Sequence, residues 1–180
     1  MGDIEEIYKH GTFVIWPSGK IRKIVSGLRK MYDPKSQKIC GPHISLTQPF
    51  KIKPGEATWK KIDKIAKGFS KFKITVGPVE QFGSSYVIKF NIQPRKRIVE
   101  LRNRLHKLGF FNTDLPYTKG FIPHMTVSEG ALRGDKKVKK VISGLNKKLK
   151  KMRFECSEIT YIVPNKKFHF NVKRRIKLKR

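Results

Sequence analysis

Cysteine is scarce, with only Cys40 and Cys156 in 180 residues, far apart in the chain. Two such residues supply neither a disulfide framework nor a zinc site of the usual spacing. Acidic residues are also few: 13 Asp and Glu stand against 42 Lys and Arg, a formal charge of +29. No hydrophobic run approaches the ~18 residues that a membrane span requires. The first six residues hold three acids and no base, which does not fit a secretory signal. Walker and dinucleotide fingerprints are absent, so no ATP-driven step has a visible nucleotide site. These absences lead us to expect a soluble, cytoplasmic, reduced protein, with no membrane partner and no metal or other cofactor.

What is present is enough for a core. Hydrophobic residues make up 38% of the chain and aromatics 11%, so the chain is not a disordered basic tail. A +29 surface repels itself and is best explained by a phosphate-bearing partner. Polynucleotide fits first, because each phosphate contacted releases condensed counterions. The last nine residues, Val172 to Arg180, are strongly basic and are consistent with a solvated final strand or an RNA arm.

Strands and helices alternate. Residues 12–16 are apolar and β-prone, and Pro17-Ser18-Gly19 stops them. Ile21, Ile24, Val25 and Leu28 then form a helical stripe. We expect a loop over 33–42, a strand over 43–50, a helix over 56–69 and a strand over 72–79. The second half repeats this order: strand 86–92, a helix from Pro94 to Leu108, loop 109–120, strand 124–128, helix 135–150 and strand 153–163. A terminal strand follows over 168–178. His106 is expected on the exposed end of its helix. The duplication predicts an α+β fold in one domain, residues 1–180, with lobes over about 11–80 and 85–180. Each lobe should carry a small, mainly antiparallel sheet beside a central cleft, with the helices outside. We expect a monomer.

Equivalent strands begin almost identically. Pro42-His43-Ile44-Ser45-Leu46-Thr47-Gln48 matches Pro123-His124-Met125-Thr126-Val127-Ser128-Glu129 in residue type at all seven positions, 81 residues apart. Residues at i and i+2 of a strand share a face. His43 therefore sides with Ser45, and His124 with Thr126. A two-fold relation would bring the pairs face to face across the cleft. Two imidazoles near their ordinary pKa of ~6.5 can act as base and acid at neutral pH. Two hydroxyls with nearby cations can hold the non-bridging oxygens of a phosphate.

The motifs His43-Ile44-Ser45-Leu46 and His124-Met125-Thr126-Val127 resemble the His-x-Thr/Ser-x pair of the two-histidine (2H) phosphoesterase superfamily, in its 2′-5′ RNA ligase-like and cyclic phosphodiesterase group. The resemblance runs from Phe13 to about Phe170. It implies a bilobal fold without metal, one histidine as base and the other as acid, and Ser45 and Thr126 as phosphate ligands. It favours His43 as the acid and His124 as the base. The implied activity opens an RNA 2′,3′-cyclic phosphate to a 2′-phosphate. The alternatives are hydrolysis or ligation of 2′-5′ linkages, or an RNA-binding module without turnover. The partner is then RNA or a nucleotide with a cyclic phosphate or 2′-5′ linkage. Many relatives carry a basic residue after the second motif, where this chain has Ser128-Glu129-Gly130. Lys119 and Arg133 are the nearest replacements, and Phe13 and Tyr117 are candidates for contact with a base.

Overall fold

The structure is a computed structural model that describes residues 2–115 and 118–179. Among the described residues, eight strands form one antiparallel sheet, with six α-helices. In chain order the elements are α1 (Gly2–Tyr8), β1 (Thr12–Ile15), α2 (Gly19–Tyr32), α3 (Pro34–Ile39), β2 (Ile44–Ser45), α4 (Glu56–Lys67), β3 (Phe72–Gln81), β4 (Val87–Gln93), α5 (Arg95–His106), β5 (His124–Glu129), α6 (Asp135–Lys148), β6 (Met152–Cys156), β7 (Glu158–Pro164) and β8 (Phe170–Lys177). The strand order is β6-β3-β4-β5-β2-β1-β7-β8. The α+β class and the antiparallel pairing are as the sequence implies. The two small sheets are the four-stranded halves of one sheet, joined where β2 pairs with β5 through Ile44 and Met125.

The sheet is curled, and the connection from β6 to β7 shows why. Ser157 alone separates these strands, yet they occupy the first and seventh places in the sheet. One residue spans at most about 3.6 Å, so the ends of the sheet must approach each other. Bonds across that gap agree: Leu178 N–H donates to Ser157 O at 2.8 Å, and Ser70 bridges Lys179. The single strand expected over 153–163 is therefore two strands in different parts of the sheet.

One face of the sheet builds the main core. Phe13, Ile15, Ile44, Leu46, Met125 and Val127 are fully buried there, with Ile21 and Val25 of α2 and Ile98, Leu101 and Leu105 of α5. The opposite face of β1 carries Val14, which packs with Cys40 and Ile162 in a second, smaller cluster.

Other expectations need correction. The loop over 33–42 contains α3. Asp33 caps it by accepting the Ser36 N–H at 3.1 Å, and Pro34 takes the first helical turn. The strand over 43–50 shrinks to Ile44–Ser45, with Phe50 making only an isolated bridge to Phe111.

His106 is not an exposed helix-end residue. Its Nε2 accepts the Gln48 N–H at 3.0 Å, and its ring lies 5.4 Å from Phe111. Burial, aided by the Arg102 charge, lowers its pKa from 6.5 to about 4. A depressed histidine stabilises the fold fully above its unfolded pKa and loses that contribution as pH falls through the folded value, at about 1.4 kcal/mol per unit. Melting temperature should therefore fall between pH 6.5 and about 4. His106→Gln should flatten that slope in pH-resolved thermal denaturation. An unchanged slope in the variant would remove His106 from this linkage.

Candidate active site

The two motif strands lie side by side, not facing across a gap. Because β2 pairs with β5 antiparallel at Ile44 and Met125, the register sets His43 opposite Thr126 and Ser45 opposite His124. Directly paired side chains stand about 4.5–5.5 Å apart at Cβ on one face. Two rows result. Lys89 of β4 pairs with Thr126, extending the row to His43. Asn91 pairs with His124, and Val14 of β1 pairs with Ser45, completing the other row. The alternating Ile44 and Met125 point into the core, which fixes the strands' orientation.

Both imidazoles are anchored in the same way. His43 Nδ1 is 2.7 Å from Gly41 O, and His124 Nδ1 is 2.7 Å from Ile122 O. A carbonyl only accepts, so Nδ1 carries the proton and donates in each ring. That assignment leaves Nε2 of the neutral ring as a proton acceptor. Trp16 stands edge-on to His43 at 6.0 Å, and Phe82 edge-on to His124 at 5.0 Å. Cys40 Sγ also touches His43 Nδ1 at 3.4 Å. Burial pushes that thiol up to about 12, so it stays protonated and inert.

Burial sets the basicity of the site. It lowers the His43 pKa to about 4, with Arg29 and His124 adding to the effect and the Gly41 bond opposing it. Burial also lowers His124, helped by Lys89 and opposed by the Ile122 bond and Glu129. Both rings are thus held neutral at pH 7 in the unliganded protein. Lys89 is itself 4% exposed, paired with Glu80 at 3.0 Å and placed over the Phe82 ring at 4.4 Å.

A cavity of about 700 Å³ opens over these rows and is lined by His43, Ser45, His124 and Thr126. That volume suits a small-molecule or nucleotide site. Arg29, Arg102 and Lys119 line it too. Arg29 is 3% exposed and donates to Thr126 O at 2.9 Å, Cys40 O at 3.2 Å and Gln37 Oε1 at 3.3 Å. Arg102, also 3% exposed, donates to Leu46 O at 2.9 Å, lies 4.0 Å from the Phe121 ring and keeps Nη2 unpaired. Among the described residues, no three His, Cys, Asp or Glu side chains gather as a metal site.

The other expected contacts fare differently. Lys119 reaches the cavity, but Arg133 lies 5.9 Å over Tyr86 and does not line it. Phe13 is fully buried among Phe50, Phe111 and Tyr161, where no substrate reaches it. Tyr117 lies outside the described residues. Arg29 and Arg102 were missed, although a signal existed. Arg29 continues the stripe Ile21–Val25 at i+4, and Arg102 stands four residues after Ile98 on the apolar face of α5. A cation on an apolar stripe must find partners inside.

Comparisons with known proteins converge on one family. The model of the 2′-5′ RNA ligase superfamily matches residues 16–167. A protein of Bacillus anthracis with a provisional phosphoesterase name is 34% identical over 120 residues, covering 65% of this chain and 67% of its own. A similarly named protein of Bacillus cereus is 33% identical over the same length, with the same coverage. Among solved structures, E. coli LigT complexed with NADP+ superposes with a TM-score of 0.61 at 16% identity, over 96% of this chain and 98% of that one. LigT complexed with 3′-AMP gives 0.61 at 16% identity, over 96% and 99%. TT0787 of Thermus thermophilus gives 0.60 at 12% identity, over 93% and 97%. At such identities the superpositions show the fold alone.

Proposed function

Because this chain belongs to the 2′-5′ RNA ligase superfamily, we propose that it is a single-domain, metal-independent RNA 2′,3′-cyclic phosphodiesterase that leaves a 2′-phosphate. The observation that carries this reading is the paired arrangement of His43 with Thr126 and Ser45 with His124 on one sheet face. Two imidazoles and two hydroxyls there line one cavity.

In this reading, the Ser45 and Thr126 hydroxyls donate to the non-bridging oxygens, and the charges of Lys89 and Arg29 stabilise the developing negative charge. A water oxygen bonds to phosphorus as Nε2 of one histidine takes its proton. The P–O3′ bond breaks, and Nε2 of the other histidine protonates the departing oxygen. The relative basicities support His43 as base and His124 as acid, the reverse of the resemblance-based expectation. The more depressed ring, His43, is the one most fully neutral and ready to accept. The bound phosphodiester anion raises both pKa values, so His124 takes up from solvent the proton that it then gives to the departing oxygen. The product is a 2′-phosphate with a free 3′-hydroxyl.

The +29 charge supports RNA as the carrier of that phosphate. No helix among the described residues is long and apolar enough to cross a membrane. The test is turnover in EDTA on a short RNA ending in a 2′,3′-cyclic phosphate, with the product end identified. Conversion to a 2′-phosphate is expected, with KM rising steeply with salt. A 3′-phosphate product would reverse the bond broken. Inactivity on this end with cleavage of 2′-5′-linked RNA would move the function to that linkage. Binding without any turnover would make the chain an RNA-binding module.

A further inference from the structure

The family match spans residues 16–167, yet one end of the cleft is walled from outside that span. Ile4 and Tyr8 of α1, and Phe168 and Phe170 at the entry to β8, line it. The two segments meet. The Tyr8 ring stands edge-on to Phe170 with centroids 5.8 Å apart, and Phe170 lies 5.3 Å from Phe168. The wall is continuous with the phosphate-facing rows. Val14 pairs with Ser45, and it packs with Ile162 and Phe170 in the smaller cluster. An apolar floor therefore runs from the Ser45 hydroxyl to the aromatic corner.

Two further features mark this corner. Tyr8, Phe168 and Phe170 are each only half-buried, and Ile4 is 55% exposed while lining the cavity. Phe168 also has φ of 56° in the left-handed region, where a bulky residue is strained and glycine is the usual occupant. The turn over-determines it. Asn165 Oδ1 accepts the N–H groups of Lys167 at 2.9 Å and His169 at 3.0 Å, and Phe168 N–H donates to Asn165 O at 2.9 Å. A strained aromatic held by its own turn at a cavity wall suggests a role for its ring.

We propose that this corner binds the nucleobase of the nucleotide that bears the reacting phosphate, on the His43–Ser45 side of the cleft. The proposal rests on the phosphodiesterase reading and adds the part of the substrate recognised. A base offers a flat π face, and aromatic walls stack on it whatever the base. Thr12 Oγ1 donates to Thr47 O at 2.8 Å and Ser36 Oγ to Asp33 Oδ2 at 2.9 Å, while Arg102 Nη2, on the same cavity, has no partner. The aromatic corner distinguishes a nucleotide from a base-free phosphate.

The experiment compares adenosine 2′,3′-cyclic phosphate with ribose 2′,3′-cyclic phosphate, using wild type, Phe168→Leu, Phe170→Leu, their double variant and Phe168→Tyr. In parallel, calorimetry measures binding of adenosine 2′-monophosphate and ribose 2-phosphate. Wild type should favour the adenosine compounds by about 5- to 150-fold, the range of one base stack. The double leucine variant should lose most of that preference, leave the ribose compound unaffected and keep the wild-type circular dichroism. Phe168→Tyr should retain it. Equal handling of both compounds by wild type overturns the proposal. So does an equal loss on both compounds in the leucine variants. An equal gain on both also overturns it, and would make the acidic α1 segment a cover over the cleft. No turnover of either compound, with base-dependent binding that the leucine variants abolish, sinks the phosphodiesterase reading and supports the wall.

Discussion

Alanine at either histidine should lower kcat by about 10²–10⁴-fold, the usual contribution of a positioned acid or base, with little change in KM. In the proposed mechanism the effect falls on kcat because proton transfer develops in the transition state, while the Ser45 and Thr126 hydroxyls still hold the ground-state phosphate. The double variant should lose little more than the worse single one, since the pair acts as a unit. The pH profile carries the sharper test. The base must be neutral, so activity is lost as pH falls through the His43 pKa of about 4 in the free protein. The acid must be protonated, so activity is lost as pH rises through the His124 pKa, which burial places below 6.5. The kcat/KM bell should therefore centre on the acid side of neutrality. The kcat bell should lie higher, because bound phosphate raises both pKa values. Residual activity in His43→Ala should lack the acid limb, and in His124→Ala the alkaline limb. Swapped limbs would restore His43 as the acid, and full activity in either variant would end the two-histidine mechanism.

The motifs were legible because strand geometry is local. A histidine two residues before a hydroxyl shares its face wherever the strand lies, and Ile44 and Met125 mark the buried alternation. What the residues did not reveal was the partner of each group. That His43 sits opposite Thr126 depends on β2 pairing with β5, a contact between segments 81 residues apart. The sequence reading set the motifs face to face; the joined sheet sets them side by side. The break at Ser157 was hidden for a similar reason. Residues on both sides favour strand, and only the curl of the whole sheet sends them to different places. The helix α3 was legible in Asp33-Pro34, a cap followed by a first-turn proline, but short polar helices leave no periodic stripe. The buried cations were the avoidable miss, because Arg29 and Arg102 interrupt apolar faces where a solvated lysine would not stand.

Arg29→Met should lower kcat by about 10²-fold with KM nearly unchanged, the penalty of a small misplacement of reacting groups. Arg29 joins the two motifs. One nitrogen donates to Thr126 O in the second motif at 2.9 Å, and another to Cys40 O, three residues before His43, at 3.2 Å. One turn later, Asp33 Oδ2 accepts the Glu129 N–H at 2.7 Å, so the end of α2 grips both ends of the site. Lysine carries the charge but offers no planar fork to reach two carbonyls. Arg29→Lys should therefore also lose kcat. The pH profile separates position from charge. The Arg29 charge helps to depress His43, so Arg29→Met should move the acid limb of kcat/KM upward. Arg29→Lys should leave that limb close to its wild-type place while kcat still falls. Wild-type kcat in Arg29→Lys beside a loss in Arg29→Met would assign the effect to the charge and not to the position of the fork. An Arg29→Met protein with wild-type kcat would show that the two motif strands hold their register without the clamp.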